Sequence, residues 1–352
     1  MKTALIRSGA LAAVFGAALV LAGCETSEPP PPPPPPPPPA MALSGNVVHA
    51  AAAYRAYVRE ASGISATFPD AESIQSSLRR GASFEPNSFS RGAVAYAAVL
   101  ALQDPVFVNG VRGYAADPAT RAQVVNHLFR DPAYAAQLPG ATSAAGVIIS
   151  NLGADAQAIH RAGTAVKQSA YDIQRQKWSR EFVANRDGRL ADAKRLSMST
   201  AAGSTADASF LMQSAMSGAG LGVRGGPVSP PYSEAVARGM AIAALAVLGA
   251  AGEDNASQID SLLNESEGSY CLRLSKMNLY QCLAVSKPHF EDVFCLGQHV
   301  LMDAGQCVSK IAGGTPTVPA WQRNQIAATT PDAAGAATPA ASTTPVAAGT
   351  GN

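Results

Sequence analysis

Four cysteines, Cys271, Cys282, Cys295 and Cys307, constrain the segment that holds them more tightly than any other feature of this 352-residue chain. In an exported protein an even number of cysteines reads as disulfides rather than free thiols. The first 23 residues have the form of an export signal: Lys2 and Arg7 at the start, an apolar stretch from Leu11 to Leu21, then the small residues Ala22-Gly23. A membrane-spanning helix would need roughly 20 apolar residues, more than this stretch supplies. Around the cysteines the pattern is helical from about Gly268 to Ser286, breaks at Lys287-Pro288 and resumes from His289 to about Ala304. Cys271 and Cys282 on one straight helix would stand about 16 Å apart, whereas bonded cysteines need α-carbons within about 7 Å. Sequential pairing therefore fails. In an antiparallel hairpin, facing residues have position numbers with a constant sum. That sum is 578 for Cys271 with Cys307 and 577 for Cys282 with Cys295. The nested pairing fits, while crossed pairing would displace the partners by about 18 Å along the axis.

One spacing departs from regularity. Eleven residues return an α-helix to about 20° of its starting face, but the twelve from Cys295 to Cys307 leave it about 120° away. Gly305 is expected to let the last turn unwind. The arrangement resembles the twin-cysteine helical hairpins in which two Cys-x9-Cys helices are stapled together, with intervals here of ten and eleven residues; the resemblance extends to geometry and not to function. A zinc site using His289 and His299 is the rival reading. Structural zinc ligands come in close pairs such as Cys-x2-Cys, which these cysteines do not form, so no metal is assigned.

Leu21-Ala22-Gly23-Cys24 resembles the lipobox of bacterial lipoproteins, in which the cysteine is acylated and becomes the first residue after cleavage. The resemblance covers only the first two dozen residues and implies lipidation at Cys24. Glu25, where an aspartate would imply inner-membrane retention, implies an outer-membrane location. Two or more acyl chains anchor stably where one is marginal. Pro29 to Pro39 follows as an unbroken polyproline run, a semi-rigid spacer of about 34 Å. Residues 24–40 are thus expected to form a lipidated linker.

The body expected between Met41 and about Gly313 is helical. Val94, Tyr96, Val99, Leu100 and Leu102 recur at helical spacing. Asp104-Pro105, Asp117-Pro118 and Asp131-Pro132 each offer a capping side chain followed by a proline suited to a first turn, and so predict three short helices. Asn109-Gly110 between apolar residues is also compatible with a tight β-hairpin. One or two long helices are expected from about Ala141 to Met198, with Ile159, Val166 and Ile173 seven apart, Tyr171, Trp178 and Phe182 on the apolar side, and a break at Asn185–Gly188. Lys167–Arg195 carries a local excess of four positive charges, read as a solvated helix face in preference to a lipid-facing one. Ser217–Pro231, rich in Gly and Pro, is the expected boundary between an N-terminal body (41–216) and a C-terminal segment (232–312). Gly218-x-Gly220-x-Gly222 within it follows no strand and is not a nucleotide fingerprint. Gly239–Gly252 is uncharged but too short to span a membrane, and reads as a buried core helix. Residues 313–352, almost uncharged and rich in Ala, Thr, Pro and Gly, read as a disordered tail whose one large aromatic is Trp321.

No catalytic signature emerges: Gly-x-Ser-x-Gly, His-Glu-x-x-His and Ser-x-x-Lys are all absent. His49, His127, His160, His289 and His299 are isolated in sequence. Glu72-Ser73 and Phe210-Leu211-Met212-Gln213 resemble pieces of lytic transglycosylases. In that family the pieces lie close together around the catalytic acid; the wide separation here keeps the role from being carried over. Removal of the leader would leave 24 basic and 25 acidic side chains, a balance that disfavours nucleic acid as a partner. The sequence therefore predicts an all-α, irregular helical bundle with a disulfide-stapled C-terminal hairpin. No catalytic residue or cofactor is assigned. The expected role is an outer-membrane-anchored lipoprotein that binds or scaffolds another envelope protein or peptidoglycan. The alternatives are a peptidoglycan hydrolase, marked by a carboxylate with raised pKa in a cleft, and a surface-exposed or secreted lipoprotein assisting secretion.

Overall fold

A computed structural model of the chain describes residues 37, 39–200 and 203–314. Cys24, the expected export signal, most of the proline run and Trp321 lie outside the described residues. What is described is all α: thirteen α-helices with short 3-10 turns and one π-helical segment, and no strand among the described residues beyond two isolated bridges.

The centre of the bundle is built from α1 (Gly45–Ser62), α3 (Pro86–Ala101) and α9 (Glu234–Val247). Every residue of α3 from Gly92 to Ala101 is buried, and so is every residue of α9 from Ala235 to Val247 except Arg238. The expected core helix is thus α9, shifted a few residues toward the N-terminus so that Gly249 (φ +74°) turns the chain beyond it. Small residues let α3 and α9 approach closely: a β-carbon at Gly239 would lie 2.6 Å from that of Ala97. Tyr54 of α1 stacks with Phe89 and Tyr96, and Tyr57 meets Phe84 tilted and Phe89 edge-on, over the other face of α3.

The Asp-Pro steps start helical elements as predicted. Asp104 accepts hydrogen bonds from the N–H groups of Val106 (2.8 Å) and Phe107 (3.2 Å) and caps α4 (Pro105–Arg112); Asp117 accepts from Thr120 N–H (2.8 Å) and caps α5 (Pro118–Arg130). The third element, Pro132–Gln137 behind Asp131, is a 3-10 turn. Asn109-Gly110 lies inside α4, not in a β-hairpin, and Gly110 serves close packing: a β-carbon there would come within 2.7 Å of the Pro139 carbonyl oxygen.

α6 (Ala141–Ile173) is the long helix. It ends before Gln174, not at Asn185–Gly188. Asn185 instead begins α7 (Arg186–Leu196), its side chain accepting from Gly188 N–H at 2.9 Å. Between the two helices runs an irregular turn holding the 3-10 segment Trp178–Arg180. Of the three aromatics expected on an apolar face, only Trp178 packs against the core; Tyr171 is 46% exposed and Phe182 67%. The Gly/Pro-rich segment after α8 (Thr205–Ser217) lies along α6, with Val228 N–H donating to Thr142 O at 3.0 Å. The helices before and after it share one hydrophobic core. No single described helix is long and apolar enough to cross a membrane.

The cysteine segment is the predicted hairpin. α11 (Ser266–Val285) runs out, Ser286–Pro288 turns, and α12 (His289–Cys295), the π segment Leu296–Met302 and α13 (Asp303–Ile311) return. Cys271–Cys307 and Cys282–Cys295 are bonded, with α-carbons 5.6 and 5.8 Å apart. The irregular twelve-residue spacing is absorbed by the π segment, whose wider turns take up one extra residue and return Cys307 to the face of Cys295. Gly305 does not unwind the helix. It lets the returning arm approach α6, where a β-carbon would lie 2.9 Å from the Ala156 carbonyl oxygen.

Candidate functional site

A broad concavity lies where α6, α11 and the returning arm meet. Two adjoining hollows, of about 630 and 380 Å³, share Tyr171 and Phe294 as a common wall. α6 contributes Lys167 and Tyr171 to one side, α11 contributes Leu274, Ser275 and Asn278 to the other, and both disulfides stand in the lining. The α11 wall is thus cross-linked to the returning arm at two heights. Tyr171 meets Phe294 edge-on at 6.3 Å, and the Lys167 ammonium lies 5.1 Å from the centre of the Phe294 ring.

A polar chain crosses the larger hollow. Lys167 Nζ donates to Gln298 Oε1 (2.7 Å), Gln298 Nε2 donates to Asp303 Oδ1 (3.0 Å), and Asp303 Oδ2 holds His299 Nδ1 at 2.9 Å. The π segment makes this possible. Its wider turn brings residues five apart onto one face, which places Gln298 over Asp303, while His299 reaches the same carboxylate from four residues away. With Nδ1 facing Asp303, the imidazole keeps Nε2 for another partner. Ser275 also lines the hollow, but its hydroxyl donates to the backbone carbonyl of His299 (2.6 Å), not to the ring. A nucleophile–base–acid relay is therefore not assembled. His160, behind the returning arm, is pushed below the ordinary histidine value by burial, with Asp303 opposing the shift.

Most other carboxylates singled out as candidates are bound into structure. Glu72 is exposed and pairs with Arg79 at 3.3 Å. Glu181 is exposed in the turn after α6. Burial would raise Glu234, yet Ser266 and Arg238 together hold it below the usual carboxylate value. Asp155 is raised by burial even though Arg55 (2.5 Å) and Tyr54 (3.2 Å) bind it. Asp292 is wholly buried against Arg189, and also takes hydrogen bonds from Gln75 (3.0 Å) and Ser286 (2.9 Å). This pair clasps α7 onto the tip of the hairpin beside a separate hollow of about 410 Å³.

Of the residues singled out from sequence, the structure joins the four cysteines to one another and brings His299 into the groove beside them. His289 stays apart at the start of α12, and His127 stacks on Tyr134. All four cysteines are taken up in disulfides, and no group of three or more His, Cys, Asp or Glu among the described residues is placed to hold a metal. Lys167, Gln298 and Asp303 have no motif to betray them. The signal that could have found them is the extra residue between Cys295 and Cys307, which marks the π turn. No family model matches the sequence, and neither a curated protein nor a solved structure matches the chain.

Proposed function

We propose that this chain is a bacterial lipoprotein, acylated at Cys24 and held at the outer membrane through its polyproline spacer, whose helical body binds another protein of the envelope. The observation that carries the binding role is the outer face of α11. Tyr270, Leu274 and Met277, at spacings of four and three, are 57, 38 and 52% exposed, and they run into the groove through Leu274. A continuous apolar surface edged by polar groups is what a protein interface presents. The disulfides hold that surface in one shape, which lowers the ordering cost of association.

Two measurements test this reading. Radiolabelled fatty acid is expected to enter the native protein and not the Cys24→Ser variant; equal labelling refutes the anchor. A photo-crosslinking residue at Met277 in the producing cell is expected to give one discrete adduct that Leu274→Asp abolishes and that the same probe at Gln123, on α5, does not give. Identical patterns from both positions refute the interface.

A second reading, a peptidoglycan hydrolase, is favoured by one observation: a carboxylate beside a histidine, Asp303 with His299, in the hollow beside α11. It requires that the purified protein degrade peptidoglycan and that Asp303→Ala abolish the activity.

A further inference from the structure

The basic stretch Lys167–Arg195 reads from sequence as a solvated helix face, but its central part is not α-helical. Between α6 and α7 the chain makes an irregular turn whose end lies against the tip of the cysteine hairpin: Val183 N–H donates to Lys287 O (2.9 Å), His289 N–H donates to Glu181 O (3.2 Å), and Phe182 bridges Pro288. Two large apolar side chains project from this end of the molecule, Phe182 at 67% exposure and Val285 at 74%, with the half-buried indole of Trp178 in the same turn. Arg175, Lys177, Arg180 and Lys287 are exposed in these two turns. Their side chains make no ion pair, hydrogen bond or ring contact among the described residues. Arg186, by contrast, is used, donating to the carbonyls of Ser286 and Ala284 at 2.8 Å each.

The acidic neighbours are Glu181 in the turn, Asp172 and Asp187 at the adjoining helix ends, and Glu291, whose carboxylate accepts the Lys287 N–H at 2.7 Å. Within the two turns themselves, four free cations face one carboxylate, Glu181. Many other exposed cations of the body are engaged, among them Arg59 with Asp207, Arg79 with Glu72 and Asp192, Arg80 with Glu60, and Arg195 with Asp192. The exposed cations Arg112, Arg130 and Arg224, which have no side-chain partner among the described residues, stand singly on separate segments. Leaving four cations unpaired around two protruding apolar groups and an indole gives the composition of a membrane-interface contact, in which apolar side chains enter the headgroup boundary and basic ones meet anionic lipid.

We infer that this tip, formed by the α6–α7 turn and the end of the cysteine hairpin, docks on an anionic lipid surface through Phe182, Val285 and the four cations. It is a second membrane contact, independent of acylation. Each basic residue near such a surface strengthens binding about fivefold, and the contribution fades as salt shortens the Debye length.

The test uses the full chain carrying Cys24→Ser, so that no acyl chain contributes, and Trp321→Phe, so that Trp178 is the sole indole. Every variant shares the same N-terminal segment, whose contribution cancels. Binding to phosphatidylcholine vesicles with and without phosphatidylglycerol is followed by co-sedimentation and by Trp178 emission. The expected result is salt-sensitive binding to the anionic vesicles with a blue shift, weakened roughly 25-fold by Lys177→Gln with Arg180→Gln, at two cations lost, and weakened as well by Phe182→Ser with Val285→Ser. All four positions are solvent-exposed, so the variants keep the helical circular dichroism of the parent. Absence of binding, equal binding to neutral vesicles, or anionic binding that neither double variant weakens overturns the inference. The outcome does not depend on the fate of Cys24.

Discussion

The α3–α9 pair and the α11–α13 hairpin bury helices by opposite means. α3 and α9 are enclosed on all sides and hold together through small residues, with the β-carbon of Ala97 filling the place that a side chain at Gly239 would take. The hairpin is covered on one side only. It carries buried polar groups, Lys276, Glu265 and Asp292, and leaves Tyr270, Leu274 and Met277 in solvent. A segment that turns an apolar face outward has that much less area to bury, and two covalent links supply the constraint that packing does not. The comparison separates a part specified by size from a part specified by cross-links, and it places the candidate groove on the second.

The largest expected effect tests whether the hairpin depends on its staples. The cysteines of Cys271–Cys307 are 36 positions apart and those of Cys282–Cys295 are 13 apart. On the chain-entropy account, replacing the first pair by serine costs about 4 kcal/mol and replacing the second about 3. Denaturant unfolding of the two double variants measures both values. Should the shorter loop prove the more important, local packing around Cys295, and not loop closure, is what the bond secures.

The enclosed pair should instead fail by overpacking. Gly239→Val forces a branched side chain against Ala97, at an expected cost of about 1–3 kcal/mol. Met277→Ala, on the open face of α11, should change stability by less than about 0.5 kcal/mol. Thermal melts of the two variants distinguish the regions directly. If Met277→Ala proved as damaging as Gly239→Val, the outer face of α11 would be a structural surface and not a free one.

The two regions also differed in how far they could be read from sequence. The hairpin and its nested disulfides follow from the cysteine positions and the break at Pro288, because cross-links impose distances that arithmetic can test. The Asp-Pro starts were legible because a cap and a proline act locally. The groove was not, since Lys167 and Tyr171 reach it from α6 while Gln298 comes from a π turn that helical periodicity does not anticipate and Asp303 from the helix that follows it. The exposure of Phe182 was hidden for a related reason. Its place in a helical pattern depended on α6 continuing past Ile173, and nothing local marks where that helix ends.

The remaining expected effect concerns Lys276, a cation that ties the hairpin to the body of the bundle. From α11 its ammonium donates to the Ala82 carbonyl (2.6 Å) at the end of α2 (Ala71–Ala82) and lies 3.4 Å from the centre of the Phe84 ring. Burial pushes Lys276 well below its ordinary value of 10.5, with Glu85 opposing. The unfolded chain keeps this proton up to about pH 10.4. Between the lowered folded value and that limit the unfolded state binds more protons, so stability rises with pH and is lost as pH falls back through the window. Tyr57 acts in the opposite sense above pH 10, because burial raises its hydroxyl and the unfolded chain ionises first. Comparing the native protein with Lys276→Met cancels the tyrosine contribution. The stability of the native protein relative to this variant should climb with pH on the alkaline side of neutrality, by no more than about 1.4 kcal/mol per pH unit. Chemical denaturation at a series of pH values measures the slope. A flat or falling difference would mean that the ammonium stays charged in the fold, held by the Ala82 carbonyl and the Phe84 ring, and that the contact between hairpin and body is an ionic clasp insensitive to pH.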